Sequence, residues 1–221
     1  MRHFPRNAYL AALLAAAFVA CDDLSAPRHS EPIAAPALSV TGGNSGEAFA
    51  HVLRHDPAAP ALETYAVSFW AYVGKNRSVE VRYQNGLPNS GVGGRFVRFT
   101  VPAGALTAGV DGKRLKNGDS LLITMSFDAV DFQIDFEPSG LVFARNTPAE
   151  LEVWYGNASR DVNRDGVVDE VDESIMGSQL GLFHYDKKGS TAWTPVSSRN
   201  DVAWRTITGA LRGFSGYAVS W

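Results

Sequence analysis

Three observations predict an all-β fold, an antiparallel β-sandwich interrupted by one loop and a short helix. Several runs of the chain alternate apolar and polar side chains, which is the period of a strand with one buried face. Turn signals such as Asn85-Gly86 and Asn117-Gly118 separate these runs. The 221 residues include 21 glycines, together with many of the β-branched and aromatic residues that favour strands. Short strands between such turns are typical of a sandwich.

The strands are predicted from about Thr64 to the end of the chain. Before the interrupting loop, apolar faces repeat over residues 79–83, 95–101, 120–127, 132–136 and 151–155. Behind the loop, Val171, Ile175 and Met176 have helical spacing, which predicts a brief helix ending near Gly177. Strand signals then resume over residues 181–185, 193–196, 202–208 and 214–221. We therefore expect one β domain over residues 62–221, with the C-terminus packed into a sheet.

Residues 1–21 are typical of an export signal and are not expected to belong to the fold. Arg2 and Arg6 give a positive start, and the apolar run over residues 8–20 is too short to cross a bilayer. The run ends in Phe18-Val19-Ala20-Cys21, which resembles the lipobox of bacterial lipoproteins, where the cysteine thiol is acylated. A plain secretory signal with an incidental cysteine is the alternative. Because Cys21 is the only cysteine, the chain forms no intramolecular disulfide.

The lipobox resemblance implies a lipid-anchored, extracytoplasmic protein of the bacterial cell envelope. Asp22 resembles an inner-membrane retention signal of enteric bacteria, but the choice between inner and outer membrane stays open. Residues 22–61 begin with a stretch rich in Ala, Pro, Ser and Gly and are predicted to form a flexible tether. The net charge of −3 offers no basic footprint, so nucleic acid is not an expected partner.

The interrupting loop, residues 161–172, fits the twelve-position pattern of an EF-hand calcium loop. Oxygen-bearing side chains fall at positions 1, 3, 5, 9 and 12, Gly166 allows the sharp turn at position 6, and the backbone carbonyl of position 7 is a further ligand. A hard cation such as Ca²⁺ takes six to eight oxygens, which alternate residues of a tight loop can supply. Val168 at position 8 is expected to be tucked under the loop. The predicted ligands are Asp161, Asn163, Asp165, Val167, Asp169 and Asp172.

At position 12, Asp172 stands where the calcium sensors have glutamate, and in this respect the loop resembles that of dockerin modules. Its shorter side chain reaches less easily for bidentate binding. Dockerins carry two such loops, whereas one is found here. The alternative is an acidic, solvated turn rich in Asp and Gly.

Several segments, in order, resemble the ZU domain, the β-sandwich of zonula occludens scaffolds, ankyrins and netrin receptors with relatives in bacterial lipoproteins. The segments are Val101-Pro102-Ala103-Gly104-Ala105-Leu106, Phe136-Glu137-Pro138-Ser139-Gly140-Leu141-Val142-Phe143, Pro148-Ala149-Glu150-Leu151-Glu152-Val153, Trp193 and Gly213-Phe214-Ser215-Gly216-Tyr217-Ala218-Val219. The resemblance implies a protein-interaction or structural module rather than an enzyme. Some relatives cleave themselves at a His-Phe-Ser step, but Gly213 replaces that histidine here, so we expect an uncut chain.

Other patterns of catalytic or metal-binding type are weaker. Ser120 lies in the letters of a GDSL hydrolase block, but it opens a predicted strand and lacks the late Asp and His partners. His51 and His55 have metal-ligand spacing without a third ligand nearby. We therefore expect no catalytic residues and a calcium-binding envelope module with a protein partner of unknown identity. A secreted hydrolase or a carbohydrate-binding envelope protein is the alternative.

Overall fold

The computed structural model describes residues 51–84, 94–185 and 193–221, and it confirms the all-β class. The export signal, Cys21 and residues 22–50 of the predicted tether lie outside the described residues. The strands are β1 (Ala66–Tyr72), β2 (Arg77–Arg82), β3 (Arg95–Val101), β4 (Ser120–Phe127), β5 (Gln133–Glu137), β6 (Ala149–Trp154), β7 (Gly181–Tyr185), β8 (Thr194–Val196), β9 (Ser198–Asp201), β10 (Thr206–Leu211) and β11 (Gly216–Ser220). Helix α1 (Glu170–Ser178) follows the interrupting loop.

The strands form two antiparallel sheets that face each other across the core. One sheet has six strands in the order β1-β4-β5-β11-β7-β8, and the other has five in the order β2-β3-β6-β10-β9. Strand β11, which was expected to bring the C-terminus into a sheet, lies between β5 and β7 and is buried along its whole length. The chain passes between the sheets several times, and the loop with α1 makes one of these crossings, from β6 to β7.

The predicted alternation accounts for the side chains that fill the core. Phe99, Phe136 and Phe214 come from three strands or strand ends, and their rings meet with centroids 4.8 to 5.8 Å apart. Aromatic rings bury large apolar areas and favour such offset contacts, so this cluster stabilises the contact between the sheets. Phe136 and Phe214, which lie in two of the segments that carry the ZU resemblance, are both buried in this core.

The prediction of a strand over residues 202–208 is wrong in its limits. Arg205 has φ +49° and ends a turn, so β10 starts at Thr206, and the polar strand β9 precedes the turn. Strand β1 was not predicted as a separate strand. Its outward positions carry Trp70 and Tyr72, and an inward position carries Ala71, so hydropathy does not alternate along it.

The predicted start of the domain at residue 62 falls inside the packed region. Val52 and Leu53 are almost completely buried, and Leu53 belongs to the main core. The Leu53 N–H donates to the Val219 carbonyl at 2.9 Å, and the Leu53 carbonyl accepts from Phe132 at 2.8 Å. We call residues 51–56 the N-terminal strap. Residues 57–61, which follow the strap, are rich in Pro and Ala, and this composition led to the prediction of a tether. Leu53 is nevertheless a core residue.

Among the described residues, no helix has the length and apolar character needed to cross a membrane.

Candidate metal loop

The loop over residues 161–172 is held in place by apolar contacts at its two ends. Val162, at position 2, is 3% exposed and belongs to the core, and Ile175 in the following helix is also buried. Two residues of the loop have positive φ, Arg164 at +64° and Gly166 at +89°. An added Cβ on Gly166 would meet no neighbouring atom. Glycine is therefore favoured at this position by the positive φ of the backbone and not by a lack of space.

The side chains at positions 1, 3 and 5 fold back onto the loop. Asp161 Oδ2 accepts from the Gly166 N–H at 3.0 Å, and Asn163 Oδ1 accepts from the Asp165 N–H at 3.0 Å. Asp165 Oδ1 accepts from the Val167 N–H at 2.8 Å, and its Oδ2 accepts from Asn163 Nδ2 at 3.0 Å. Asn163 and Asp165 thus contact each other and form Asx-type hydrogen bonds to the loop backbone, and Asp161 bonds the backbone of the same loop at Gly166.

The other carboxylate oxygen of Asp161 has no hydrogen-bond partner among the described residues. Asp161 Oδ1 is nonetheless buried from solvent. A buried carboxylate oxygen without a hydrogen-bond donor has lost its hydration, and a cation bound there would supply a partner. This orphaned atom at position 1, together with the amide and carboxylate oxygens beside it, fits a calcium-binding loop.

Asp172, the predicted ligand at position 12, has a structural role that the sequence pattern did not reveal. The residue is completely buried, its Oδ1 accepts from the backbone N–H groups of Val162 at 2.7 Å and Asn163 at 3.1 Å, and its Oδ2 accepts from Asp169 at 3.0 Å. Burial would raise the pKa of Asp172, but the N–H groups of Asp169, Asn163 and Val162 outweigh it and hold the pKa below its usual value. Asp172 therefore closes the loop onto its own beginning.

Asp169, at position 9, is the N-cap of α1. Its Oδ1 accepts from the Val171 N–H at 2.8 Å, and Asp169 and Asp172 form a reciprocal capping box. The expectation that Val168 is tucked under the loop is wrong, because Val168 is 50% exposed. Val167 and Val171 are exposed as well, so three valines form an apolar patch on the outside of the loop and helix.

In the part of the chain that the structure describes, no three His, Cys, Asp or Glu side chains are gathered closely enough to hold a metal ion by themselves. A calcium loop of this type also uses an amide oxygen and a backbone carbonyl. Asn163 and Val167 are the residues that would supply them. Asp172 already accepts three N–H groups, which leaves a lone pair on its Oδ2 as its contribution.

A second polar contact, between Ser215 and His184, was not expected from the sequence. His184 on β7 places Nε2 at 2.8 Å from Ser215 Oγ, so an imidazole does lie beside the serine of the Phe-Ser step. The Ser215 hydroxyl donates to the Tyr185 carbonyl, so its proton is directed at that oxygen rather than at His184. A serine proton held by a backbone carbonyl is not placed for transfer to the imidazole.

Gly213 has a packing reason to be glycine. A Cβ at this position would lie 2.8 Å from the Leu141 carbonyl oxygen, and the Phe214 N–H donates to that same oxygen at 2.8 Å. A histidine there, as in the self-cleaving relatives, would require the backbone to move.

The weaker candidates do not come together as sites. Ser120 is exposed at the start of β4, while His184, the last histidine, contacts Ser215 instead. His51 packs against Trp221, and His55 stacks on Phe132, so their rings meet different partners. An open depression lined by Val73, Gly74, Gly104, Leu106, Thr107, Ala108, Gly112, Arg114, Leu115 and Asn117 has no carboxylate, imidazole or thiol among these lining residues.

Sequence reasoning also missed an exposed aromatic strip on β1. Trp70, Tyr72 and Leu122 all point outward from the six-stranded sheet, and Trp70 is the direct cross-strand neighbour of Leu122. Beside them, the hydroxyls of Ser68 and Thr124 lie 2.8 Å apart. The signal in the sequence was the pairing of two aromatics two residues apart, on one face of a strand.

Comparison with known protein families, with curated proteins and with solved structures finds no match to this chain.

Proposed function

We propose that this chain is a non-enzymatic, calcium-binding β-sandwich of the bacterial cell envelope, anchored to lipid through Cys21. It serves there as a protein-interaction or structural module. The observation that carries the proposal is the loop over residues 161–172, with its inward-folded side chains and the buried, unpartnered Asp161 Oδ1. The lipobox pattern around Cys21 supports the place in the cell.

Calcium would act on stability. Asp161, Asp165, Asp169 and Asp172 bring four carboxylates into one short loop, where like charges repel. A divalent ion reverses that repulsion and fixes the crossing between the two sheets. Extracellular modules bind Ca²⁺ with Kd values of about 0.1 to 1 mM. At a hundredfold excess over Kd, binding adds about 2.7 kcal/mol to the free energy of unfolding.

A thermal melt with and without chelator tests the metal proposal. We expect Ca²⁺ in excess over its Kd to raise the Tm and EGTA to reverse the rise, because the ion binds only the folded loop. The double variant Asp161→Ala, Asp165→Ala should lose the calcium response. The matched control is Asp111→Ala, Asp128→Ala, which removes two carboxylates that also accept an N–H two residues ahead. A wild-type Tm indifferent to calcium would refute the proposal.

The patch of Val167, Val168 and Val171 supports a role in protein interaction. Its three valines are each about half exposed, and the acidic Glu170 and Glu173 beside them are exposed too. Such a surface is complementary to an apolar segment flanked by Lys or Arg. Because the patch lies on the loop and the first turn of α1, calcium would reduce the negative charge around it.

Two observations favour a non-enzymatic role. The hydroxyl of Ser215 is turned to a backbone carbonyl, and Ser120 is exposed with the last histidine engaged elsewhere. The chain therefore stays uncut at Phe214-Ser215, because the Ser215 proton is directed at the Tyr185 carbonyl and not at His184.

The aromatic strip on β1 favours carbohydrate binding as a second candidate function. Trp and Tyr faces pack against the C–H faces of sugar rings, and neighbouring hydroxyls bond sugar hydroxyls, which suits a neutral glycan. If this function holds, soluble neutral glycans quench tryptophan fluorescence in the wild type, and the double variant Trp70→Ala, Tyr72→Ala binds them at least tenfold more weakly. The control Trp204→Ala removes a tryptophan that is even more exposed than Trp70 but lies on a turn. Equal binding by both variants would remove the strip from consideration.

A further inference from the structure

The N-terminal strap is hydrogen-bonded to the sandwich along one edge. Leu53 bonds Val219 and Phe132, as described above, and the His55 N–H donates to the Val130 carbonyl at 2.8 Å. An ion pair of 3.2 Å between Arg54 Nε and Asp131 Oδ1 follows the same edge. The strap thus lies against the end of β11 and the turn before β5.

The other edge of the strap is bonded to the segment that leads into the metal loop. The Ser159 N–H donates to the Arg54 carbonyl at 2.8 Å, and the Asp56 N–H donates to the Asn157 carbonyl at 2.8 Å. The loop itself adds a third contact, in which the Arg164 guanidinium donates to the Val52 carbonyl. These three hydrogen bonds of the strap can form only while the segment and the loop remain in place beside it.

Arg164 connects the strap to the proposed metal ligands. It is position 4 of the loop, between Asn163 and Asp165, and its φ of +64° is one that few non-glycine residues adopt. The side chains on either side of it bond each other at 3.0 Å. A metal ion held by positions 3 and 5 would fix the backbone of Arg164 between them, and with it the direction of the guanidinium.

We propose that metal binding in the loop locks the N-terminal strap onto the sandwich, so that the ion controls where the chain leaves the domain. The inference rests on the proposed calcium site and adds a conformational consequence to it. Without the ion, the Asp56 and Ser159 hydrogen bonds open more often while the Leu53 core contact persists. By linkage, a locked strap also tightens metal binding by the same factor.

Hydrogen exchange on the full chain in detergent micelles tests the coupling, with Ca²⁺ as the probe. We expect saturating Ca²⁺ to slow exchange of the Asp56 and Ser159 amides at least tenfold, and the Leu53 amide less. Arg164→Ala should lose most of that calcium-dependent slowing and bind Ca²⁺ severalfold more weakly. The control Arg160→Ala removes an exposed arginine of the same charge beside the loop and should keep the effect.

Calcium binding is measured for each protein by titration, so that the two proposals fail separately. A wild type that binds Ca²⁺ but exchanges Asp56 and Ser159 at an unchanged rate would overturn the coupling and leave the site intact. The same rate of exchange in Arg164→Ala and wild type with Ca²⁺ would remove the arginine from the mechanism and overturn it as well. A wild type that binds no Ca²⁺ would refute the site and this inference with it.

Discussion

His55 lies in the strap, and its ring is surrounded by aromatic side chains of the sandwich. Its ring stacks on Phe132 with centroids 4.1 Å apart and lies near Phe96, and its Nδ1 is 3.2 Å from the Tyr83 hydroxyl. Its Nε2 is buried without a partner among the described residues. Burial lowers the pKa of His55 from 6.5 to about 4, and the nearby Asp128 opposes this only in part. The residue is therefore neutral in the folded protein.

The first prediction is a loss of stability in mild acid. Between pH 6.5 and about 4 the unfolded chain binds a proton at His55 that the folded chain excludes, so the free energy of unfolding falls as the pH falls. From pH 7 to pH 5 the loss should be about 2 kcal/mol. His55→Phe keeps a ring on Phe132 and removes the titration, so its unfolding by urea should depend less on pH over that range.

His51→Phe is the matched control for this measurement. His51 is exposed at the start of the strap and packs edge-on against Trp221, outside the aromatic cluster around His55, so the contribution of His55 should persist in this variant. Parallel stability curves for His55→Phe and wild type from pH 7 to pH 5 would show that His55 is not the group responsible.

At the scale of elements, the loop and α1 are joined by Asp172. Its carboxylate accepts N–H groups at the beginning of the loop and at the helix N-cap, which binds two ends of the crossing together. Asp172→Ala would leave these donors unsatisfied, one of them in a buried bond, and remove half of the capping box. We expect a loss of about 1 to 3 kcal/mol in the free energy of unfolding, measured in EGTA so that metal binding makes no contribution.

Two further variants test whether the loss of stability comes from the carboxylate of Asp172. Asp172→Asn keeps one accepting oxygen and should lose less than Asp172→Ala. Glu173→Ala removes an exposed acid from the first turn and should cost only a few tenths of a kcal/mol through the helix dipole. If Asp172→Ala in chelator is as stable as Glu173→Ala, the carboxylate does not close the loop.

Elements with a buried apolar face were predictable from the sequence, and those shaped by turns or by exposed aromatics were not. Strands β3, β4 and β7 start and end where the alternation indicates, and the helix after the loop ends one residue beyond Gly177. Strand β9 is too polar to show an alternation of apolar and polar residues. The turn at Arg205 depends on the pairing of β9 with β10. The exposure of Val168 depends on whether another element covers the loop, which local sequence does not encode.

At the scale of the whole molecule, the fold class followed from periodicity, whereas the limits of the domain did not. The strap joins the sandwich through long-range hydrogen bonds to Val219 and Phe132, and a Pro-rich local composition gives no sign of them. The loop spacing pointed to Asp161, Asn163 and Asp165, whose side chains fold back onto the loop. The spacing did not reveal that Asp172 accepts backbone N–H groups, nor that Arg164 donates a hydrogen bond to the strap.

Direct calcium titration by calorimetry at pH 7, on the full chain in detergent micelles, is the most direct test of the metal site. We predict binding of one ion per chain with a Kd of about 0.1 to 1 mM, no binding by Asp161→Ala, Asp165→Ala, and unchanged binding by Asp111→Ala, Asp128→Ala. No heat beyond that of dilution, or equal binding by the loop variant and the wild type, would contradict the proposal that these residues hold calcium.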